Sequence, residues 1–177
     1  MEENIKIIKL PEPKSKQNIK KEKREKNITK NQLWMENIKK DELKVEYQYI
    51  VLTDLISDIN TEKTKLLKKL IKEKISGYKH QDVLKKKLDN EQFIKLEDIL
   101  KILEKSKLKC YYCKKDVMLF YCFAHDLEQW TLERIDNNLG HNNGNLEISC
   151  LKCNICRRTM QCEKYKFTKQ VIWEKVN

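Results

Sequence analysis

From residue 41 to residue 107, apolar side chains recur every three to four positions, which is the spacing of an amphipathic helix. The first such segment is centred on Leu52. A second begins after Thr61, a suitable N-cap, and we expect it to end at Gly77, because glycine is common at helix C-termini. A short basic segment follows, and residues 93–107 make up the last amphipathic segment. The pattern predicts a helical region over residues 41–107.

The pattern of polar and apolar residues changes at Cys110. Residues 117–123 and 130–135 are rich in aromatic and β-branched residues, and residues 145–149 alternate between apolar and polar. All three segments therefore predict strands, and the segment after the last strand favours a short helix. We predict an α+β fold, in which a small module of strands and one helix over residues 108–177 follows the helical region.

Residues 1–40 show no sustained apolar periodicity. They are rich in Lys, Asn and Glu and contain both prolines, so they cannot bury enough apolar surface to offset the loss of chain entropy on folding. We predict a disordered basic arm. Such arms bind nucleic acid or a protein partner, or they only keep a chain in solution, and the sequence leaves both interpretations open.

The whole chain has 38 Lys and Arg against 27 Asp and Glu, a formal net charge of +11. A surplus of this size favours a polyanionic partner, nucleic acid before an acidic membrane. No run of roughly 18 apolar residues is present, and the first residues lack the basic start and apolar core of a secretory signal. We therefore expect an intracellular protein of the cytoplasm or nucleus, neither secreted nor inserted in a membrane.

Seven cysteines are present, and four of them form two CxxC pairs, Cys110 with Cys113 and Cys150 with Cys153. Two such turns supply the tetrahedral sulfur set that zinc prefers. Thiols stay reduced inside cells, so zinc binding is favoured over a redox or disulfide role, which the spacing also allows. A structural Zn²⁺ would link two ends of the module and contribute to its folding free energy. We expect Cys156 to turn away from these four and to be a small buried or half-buried thiol.

The stretch WTLERIDNNLGHNNGNLEISCLKCN, residues 130–154, places an acidic residue at a strand end, then an Asn- and Gly-rich loop, Asn145 and the second CxxC, followed at once by Asn154. Together with the first CxxC, this order resembles the zinc-containing HNH endonucleases, whose pattern includes NxxxxCxxCN. The resemblance covers residues 110–158. It implies a ββα-metal fold, in which two strands and a helix surround one divalent ion, and it implies a nuclease that acts on DNA.

The resemblance implies a role for each matching residue. Glu133 matches the acidic metal ligand at the strand end, and Asn154 matches the second metal ligand, on the helix. Oxygen ligands of this kind suit Mg²⁺ or Mn²⁺. Asn145 matches the residue that ties the loop together. Three basic residues of the helix are candidates for contacts with nucleic-acid phosphates: Lys152, Arg157 and Arg158.

One position departs from the family pattern. Most HNH enzymes have the general-base His directly after the acidic ligand, whereas this chain has Arg134. Arginine has a pKa of about 12.5 or above, so Arg134 cannot take a proton from water near neutral pH, although it can bind a phosphate oxygen. Three alternatives remain open: His141 in the loop, which we favour, His125 before the strand, or metal-bound water without a side-chain base. We expect His80 to lie on the surface.

Three hypotheses follow. The first is a metal-dependent HNH-like endonuclease. The second is a catalytically inactive, HNH-derived scaffold that binds nucleic acid or protein within a larger assembly. The arrangement of GYKHQD, LKCYYCKK and CLKCNICRR is similar to a subgroup of the family seen in large DNA viruses, so a virion or viral factory is an alternative location. The third is a redox protein that uses the CYYC sequence and binds no zinc.

Overall fold

A computed structural model describes residues 39–121 and 125–171 of the chain. A 3₁₀ turn, Lys40–Leu43, precedes the other elements, which are in order α1 (Val45–Ile56), α2 (Glu62–Leu84), α3 (Leu96–Ser106), β1 (Trp130–Arg134), β2 (Leu146–Cys150), α4 (Leu151–Arg157) and α5 (Cys162–Gln170). The described residues thus contain five α-helices and one two-stranded antiparallel sheet, which confirms the α+β class. The disordered arm predicted for residues 1–40 lies outside the described residues, except for residues 39 and 40. Cys122 and Phe123 also lie outside the described residues.

Helix α2 begins where the sequence predicts. The Thr61 hydroxyl accepts a hydrogen bond from the Thr64 backbone N–H at 3.1 Å, and the Thr64 hydroxyl accepts one from the Thr61 N–H at 2.8 Å. These reciprocal bonds satisfy N–H groups that have no partner within a helix, which fixes the first turn. The predicted N-cap at Thr61 is therefore confirmed.

The predicted end of this helix is wrong. Helix α2 continues through Gly77 to Leu84, so the short basic segment expected to follow is its last two turns. Glycine lowers helix stability by only about 1 kcal/mol, and tertiary contacts offset that cost. The contacts are made by Tyr78, whose hydroxyl accepts a hydrogen bond from the Leu132 N–H at 3.0 Å, and by the buried Asp82.

Strands β1 and β2 form an antiparallel hairpin in which Trp130 pairs with Cys150 and Glu133 with Glu147. The predicted strands over residues 130–135 and 145–149 are confirmed to within one residue. Helix α4 follows β2 directly, because Cys150 is both the last strand residue and the N-cap of the helix. The hairpin and this helix position every residue of the predicted metal sites except the first CxxC.

The strand predicted over residues 117–123 is wrong for its described part, residues 117–121, which contains only an isolated bridge from Met118 to Gln129. A side chain takes the place of a neighbouring strand. The Oε1 atom of Gln48, fully buried on α1, accepts the backbone N–H groups of Leu119 and Phe120 at 2.7 and 2.9 Å. The β-prone composition is thus used for burial rather than for a ladder of strand pairs.

One hydrophobic core joins the helical region to the module that follows it. It includes Leu52 of α1, Leu67 of α2 and Leu103 of α3 together with Trp130 and Ile148 of the hairpin, all nearly inaccessible to solvent. Burial of such side chains contributes roughly 1.5–3 kcal/mol each. The helices are therefore structural partners of the module. No helix in the described part of the chain has the length and apolarity to cross a membrane.

Candidate functional site

The two CxxC pairs meet in one cluster. The sulfur atoms of Cys110, Cys113, Cys150 and Cys153 all lie within 4.8 Å of one another, and the Sγ atoms of Cys113 and Cys150 are 3.9 Å apart. A tetrahedral zinc with Zn–S bonds of about 2.3 Å requires sulfur–sulfur distances of roughly 3.8 Å, whereas a disulfide requires about 2.05 Å. The cluster can therefore hold a metal ion such as zinc, and its four thiols are not paired as disulfides.

Local backbone geometry builds this cluster. Cys110 and Cys113 lie on a turn closed by the bond from the Lys114 N–H to the Cys110 carbonyl at 3.0 Å. In the second pair, the Cys153 N–H donates to the Cys150 sulfur at 3.4 Å. Burial, together with the neighbouring Cys110 thiolate, raises the pKa of the Cys153 thiol to about 12. A metal ion bound here would displace the thiol protons and would compensate part of the charge of the resulting thiolates.

The other described cysteines do not belong to the cluster. Cys156 turns away from it, as predicted, but the expectation of a buried or half-buried thiol is wrong, because Cys156 is exposed. It lies on the outer side of the short helix α4. Cys162 is buried and its sulfur lies 3.6 Å from the Tyr112 hydroxyl. Its role is to fill the core, as a free cysteine in such surroundings commonly does.

Beside the hairpin lies a cleft of about 560 Å³, lined by α2, β1, the loop between the strands and α4. It brings together five of the predicted site residues: Glu133, Arg134, His141, Asn154 and Arg158. These residues come from three segments that are separate in the sequence pattern. Lys152, which is exposed, is not among the lining residues, and neither are Asn145 and Arg157.

Glu133 is 5% exposed at the end of β1. Its Oε1 atom accepts a hydrogen bond from the Arg157 guanidinium, and its buried Oε2 atom has no hydrogen-bonding partner in the described part of the chain. Burial raises the pKa of this carboxyl above its ordinary value, and the Arg157 pairing opposes that rise. An unsatisfied buried carboxylate oxygen costs free energy unless a cation or a donor is supplied.

Asn154 lies on the first turns of α4 and reaches the outer edge of β1. Its Nδ2 donates to the Thr131 hydroxyl at 3.2 Å and to the Leu132 carbonyl at 3.3 Å. These two bonds hold the side chain in place. Its Oδ1 has no hydrogen-bonding partner among the described residues, so an amide oxygen remains available. Glu133 lines the same cleft, and carboxylate and amide oxygens are the ligand type that Mg²⁺ and Mn²⁺ prefer.

The loop between the strands is tied by Asn145. Its Oδ1 accepts from the Asp136 N–H at 2.8 Å, and its Nδ2 donates to the carbonyls of Asp136 and Gly140 at 3.0 and 3.1 Å. The loop-tying position expected for Asn145 is therefore what the hydrogen bonds show. Asp136 also accepts from the Asn138 N–H, which is ordinary turn chemistry.

His141 is buried in this loop and paired with an acidic residue of α2. Its Nδ1 lies 2.8 Å from Oδ1 of Asp82, and its backbone N–H donates to Oδ2 of the same carboxylate at 2.6 Å. The Tyr78 ring packs against the imidazole, with ring centroids 4.5 Å apart. An imidazole held this way donates from Nδ1, which leaves Nε2 as a proton acceptor. Nε2 has no hydrogen-bonding partner in residues 39–121 and 125–171.

Sequence reasoning missed Asp82, which is 0% exposed. The residue lies 59 positions before His141, so no local motif connects the two. One sequence signal was available. Within α2, Tyr78 and Asp82 are four residues apart and therefore lie on one face of the helix. An acidic residue beside an aromatic one stands out in a segment whose other charged residues are mostly lysines.

The structure contradicts the expected role of Arg157. Its side chain is 2% exposed and is surrounded by acceptors: Glu133, the carbonyls of Arg134, Ile135 and Met160, and Oδ1 of Asn137. A guanidinium buried in this way and bonded to acceptors of the protein cannot contact a phosphate in this arrangement. Arg158 is exposed and lines the cleft, so it keeps the expected position.

The cleft is positively charged. The only carboxylate among its described lining residues is that of Glu133. Four cationic side chains also line it: Lys74, Lys85, Arg134 and Arg158. Arg134 is half-buried and donates to the Leu139 carbonyl at 3.0 Å. His125, the alternative candidate for the base, is exposed and is not among the lining residues. Clefts lined by one sign of charge favour ligands of the opposite sign.

No family model, curated protein or solved structure matches this chain. The cleft combines a buried imidazole–carboxylate pair, two oxygen donors at the junction of β1 and α4, and a cationic lining. This combination suits acid–base chemistry on an anionic ligand.

Proposed function

We propose that this protein is an HNH-like, metal-dependent endonuclease that hydrolyses DNA phosphodiester bonds and has a structural zinc at its four clustered cysteines. The observation that carries the proposal is the position of the His141–Asp82 pair in the same cationic cleft as Glu133 and Asn154. The order of CxxC, acid, Asn and Gly loop and CxxCN, which resembles the HNH family, supports it. The proposal assigns Arg134, which replaces the usual base, to phosphate binding.

His141 has the properties of a general base. Burial lowers the pKa of its imidazole below the ordinary value, against the opposing effect of Asp82. The ring is therefore neutral at pH 7, and its Nδ1–H group donates a hydrogen bond to Asp82. Nε2 then accepts a proton from a water molecule that attacks phosphorus, and Asp82 stabilises the resulting imidazolium. Among the three alternatives for the base, His141 is the one that this geometry favours.

Glu133 and Asn154 would hold a magnesium or manganese ion through their oxygens. When bound, such an ion binds the scissile phosphate and stabilises charge on the leaving oxygen. Arg134 and Arg158 face the same cleft and place guanidinium groups against the phosphates on either side. These contacts go to the backbone and carry no base sequence, so we expect cleavage without strong sequence preference.

The test compares two glutamates that face each other across the hairpin. Glu133→Gln removes the proposed ligand, whereas Glu147→Gln changes its half-buried cross-strand partner, which does not line the cleft. Supercoiled plasmid and branched DNA are incubated with each protein and Mg²⁺ or Mn²⁺. We expect Glu133→Gln to cut at least about 100-fold more slowly, while Glu147→Gln stays close to the wild-type rate.

Glu133→Gln also weakens the pairing with Arg157, so a thermal melt must show that this variant folds. Asn154→Ala leaves that pairing intact and therefore provides a second test of the metal site. We expect Asn154→Ala to reduce cleavage and to require more Mn²⁺ for half-maximal rate. Equal cleavage rates in Glu133→Gln, Asn154→Ala and the wild type would refute the proposed metal site.

A specific observation favours a second candidate, an inactive scaffold that binds nucleic acid or protein. Oε1 of Glu133 already forms an ion pair with the buried Arg157, and the guanidinium compensates the negative charge of the carboxylate without a metal ion. In this alternative the pair replaces the metal as the element that joins β1 to α4. Tight, salt-sensitive DNA binding without cleavage of any DNA substrate, at any concentration of Mg²⁺ or Mn²⁺, would support the scaffold over the enzyme.

A further inference from the structure

Lys74 of α2 reaches into the cleft beneath the start of β1. Its Nζ donates to the Trp130 carbonyl at 2.9 Å and to Oε1 of Gln129 at 3.1 Å. The ammonium group also lies 4.9 Å from the centroid of the Trp130 ring and 5.5 Å from that of Tyr121. Four contacts from three residues therefore fix the position of this cation at the wall of the cleft.

None of these partners carries a negative charge. Within the described part of the chain, Lys74 forms no ion pair with a carboxylate, and burial lowers the pKa of its amine to about 8. Lys74 is half-buried, and a charge partly withdrawn from water without a counter-ion is unfavourable. An ammonium group has three N–H donors, and the two hydrogen bonds leave one without an acceptor among the described residues.

A purely structural role does not require the charge. The Trp130 carbonyl at the outer edge of β1 needs a donor, and a neutral amide side chain supplies one. The lysines on the exposed side of α2 show the contrast. Lys72 lies two residues earlier, about 200° around the helix, where it is exposed and does not line the cleft.

We propose that Lys74 is a phosphate-binding residue, which holds a non-bridging oxygen of a nucleic-acid phosphodiester in the cleft through its third N–H. This inference rests on the proposed nuclease function and identifies a contact that lies in the helical region, outside the segment that resembles HNH enzymes. The phosphate provides the negative charge that Lys74 lacks within the protein. Lys85, directly after α2, lines the same cleft. Helix α2 thus contributes to the substrate site as well as to the core.

The test measures binding separately from cleavage. A fluorescein-labelled 20-base-pair DNA duplex is titrated with wild type, Lys74→Gln and Lys72→Gln by fluorescence anisotropy, at several KCl concentrations without added Mg²⁺ or Mn²⁺. Gln at position 74 keeps a donor for the Trp130 carbonyl. We expect Lys74→Gln to weaken binding roughly tenfold and to reduce the slope of log affinity against log salt by about 0.9, the value for one phosphate contact.

Lys72→Gln should leave the affinity within about twofold of the wild type, because a solvated lysine outside the cleft has little to lose. Lys74→Arg gives a second readout that does not depend on the neutral variant folding. Wild-type affinity should fall as pH rises from 7 to 9, because the Lys74 ammonium loses its proton, and Lys74→Arg should remove that fall, because arginine stays protonated.

Unchanged affinity and salt slope in Lys74→Gln, or equal losses in Lys74→Gln and Lys72→Gln, would overturn the inference while leaving the nuclease proposal intact if the wild type still cuts. Wild-type protein that binds no duplex at any salt concentration would overturn both.

Discussion

The cysteine cluster and the cleft differ in how far apart in the sequence their residues lie. Each half of the cluster is a four-residue CxxC turn, so the spacing of the cysteines already contains its geometry. The cleft takes residues from α2, β1, the loop and α4, and its central pair joins residues 59 positions apart. A metal cluster made of local turns can be read from a motif, whereas a cleft made by packing cannot.

The two regions also differ in what holds them. The four sulfurs of the cluster lie close enough together to hold a metal ion, and we expect such an ion to hold the two turns together. The cleft depends on hydrogen bonds and one ion pair within the protein: Asn145 to the loop, Asp82 to His141, and Arg157 to Glu133. Substitutions should therefore affect stability and zinc content in one region, and loop position and chemistry in the other.

The largest effect is expected at the cluster. Cys150→Ser should remove stoichiometric zinc and abolish cooperative unfolding, because structural zinc contributes about 10–16 kcal/mol in small zinc domains. Cys156→Ser is the matched control, since this exposed thiol lies three residues beyond Cys153, the last predicted zinc ligand. Elemental analysis and thermal melting measure both outcomes. Stable, fully folded Cys150→Ser protein without zinc would mean that the packed core alone holds the two turns together.

The next effect separates two adjacent arginines. Arg157→Met leaves the buried carboxylate of Glu133 without its partner, so we expect a loss of about 3–5 kcal/mol of unfolding free energy. Arg158→Met changes an exposed residue, and its effect should stay within about 0.5 kcal/mol. Urea denaturation of both variants gives the values. Similar losses for both would show that the pairing of Arg157 with Glu133 adds nothing to the fold.

A smaller change in unfolding free energy is expected on substitution of two glycines, with opposite signs at the two positions. A Cβ at Gly140 would lie 2.4 Å from the Lys87 carbonyl oxygen and 2.8 Å from Oδ2 of Asp82, so Gly140→Ala should push the loop from α2 and cost about 1–3 kcal/mol. A Cβ at Gly77 meets nothing within 4 Å, and Gly77→Ala inside the helix should stabilise by roughly 0.5–1 kcal/mol. Thermal melts with the same sign for both would contradict the close contact of loop and helix.

The smallest effect is the pH dependence of stability that arises from His141. Its pKa in the folded protein is lowered by burial, so the unfolded chain binds the proton more readily. Unfolding free energy should therefore rise with pH up to about 6.5, the ordinary histidine value, and this contribution should be constant above it. The raised pKa of Glu133 acts in the opposite direction but cancels when the wild type is compared with His141→Gln.

Melts of the wild type and His141→Gln between pH 5 and 8 measure that difference, with His80→Gln as the control because His80 is exposed on α2. We expect His141→Gln to lose part of the slope below pH 6.5 and His80→Gln to keep it. A wild-type slope in His141→Gln would mean that the buried imidazole does not take up a proton on unfolding.

Much of the fold could be predicted from the sequence where local preferences decide. The N-cap at Thr61, the two strands of the hairpin and the short helix after Cys150 follow from capping, alternation and motif spacing. The failures come from tertiary contacts. Gly77 does not end its helix because the next turns pack on β1 and the loop, and residues 117–121 form no strand because Gln48 takes their backbone N–H groups.

The candidate site shows the same division. Glu133, His141 and Asn154 could be singled out because a motif or a loop composition marks them. Asp82 could not, because its partner is distant in the sequence. Lys74 could not, because nothing in a lysine-rich helix distinguishes a lysine that faces the cleft from one that faces solvent. The buried position of Arg157 depends on the path of the loop around it, which a sequence motif does not describe.

The rate at which His141→Gln nicks supercoiled plasmid in the presence of Mn²⁺ tests the central claim most directly, measured beside the wild type and His80→Gln. We predict a loss of roughly 100- to 10,000-fold for His141→Gln, the usual contribution of a general base, and a rate within about twofold of the wild type for His80→Gln. Wild-type protein that does not nick the plasmid, or a His141→Gln rate equal to that of the wild type, would contradict the account.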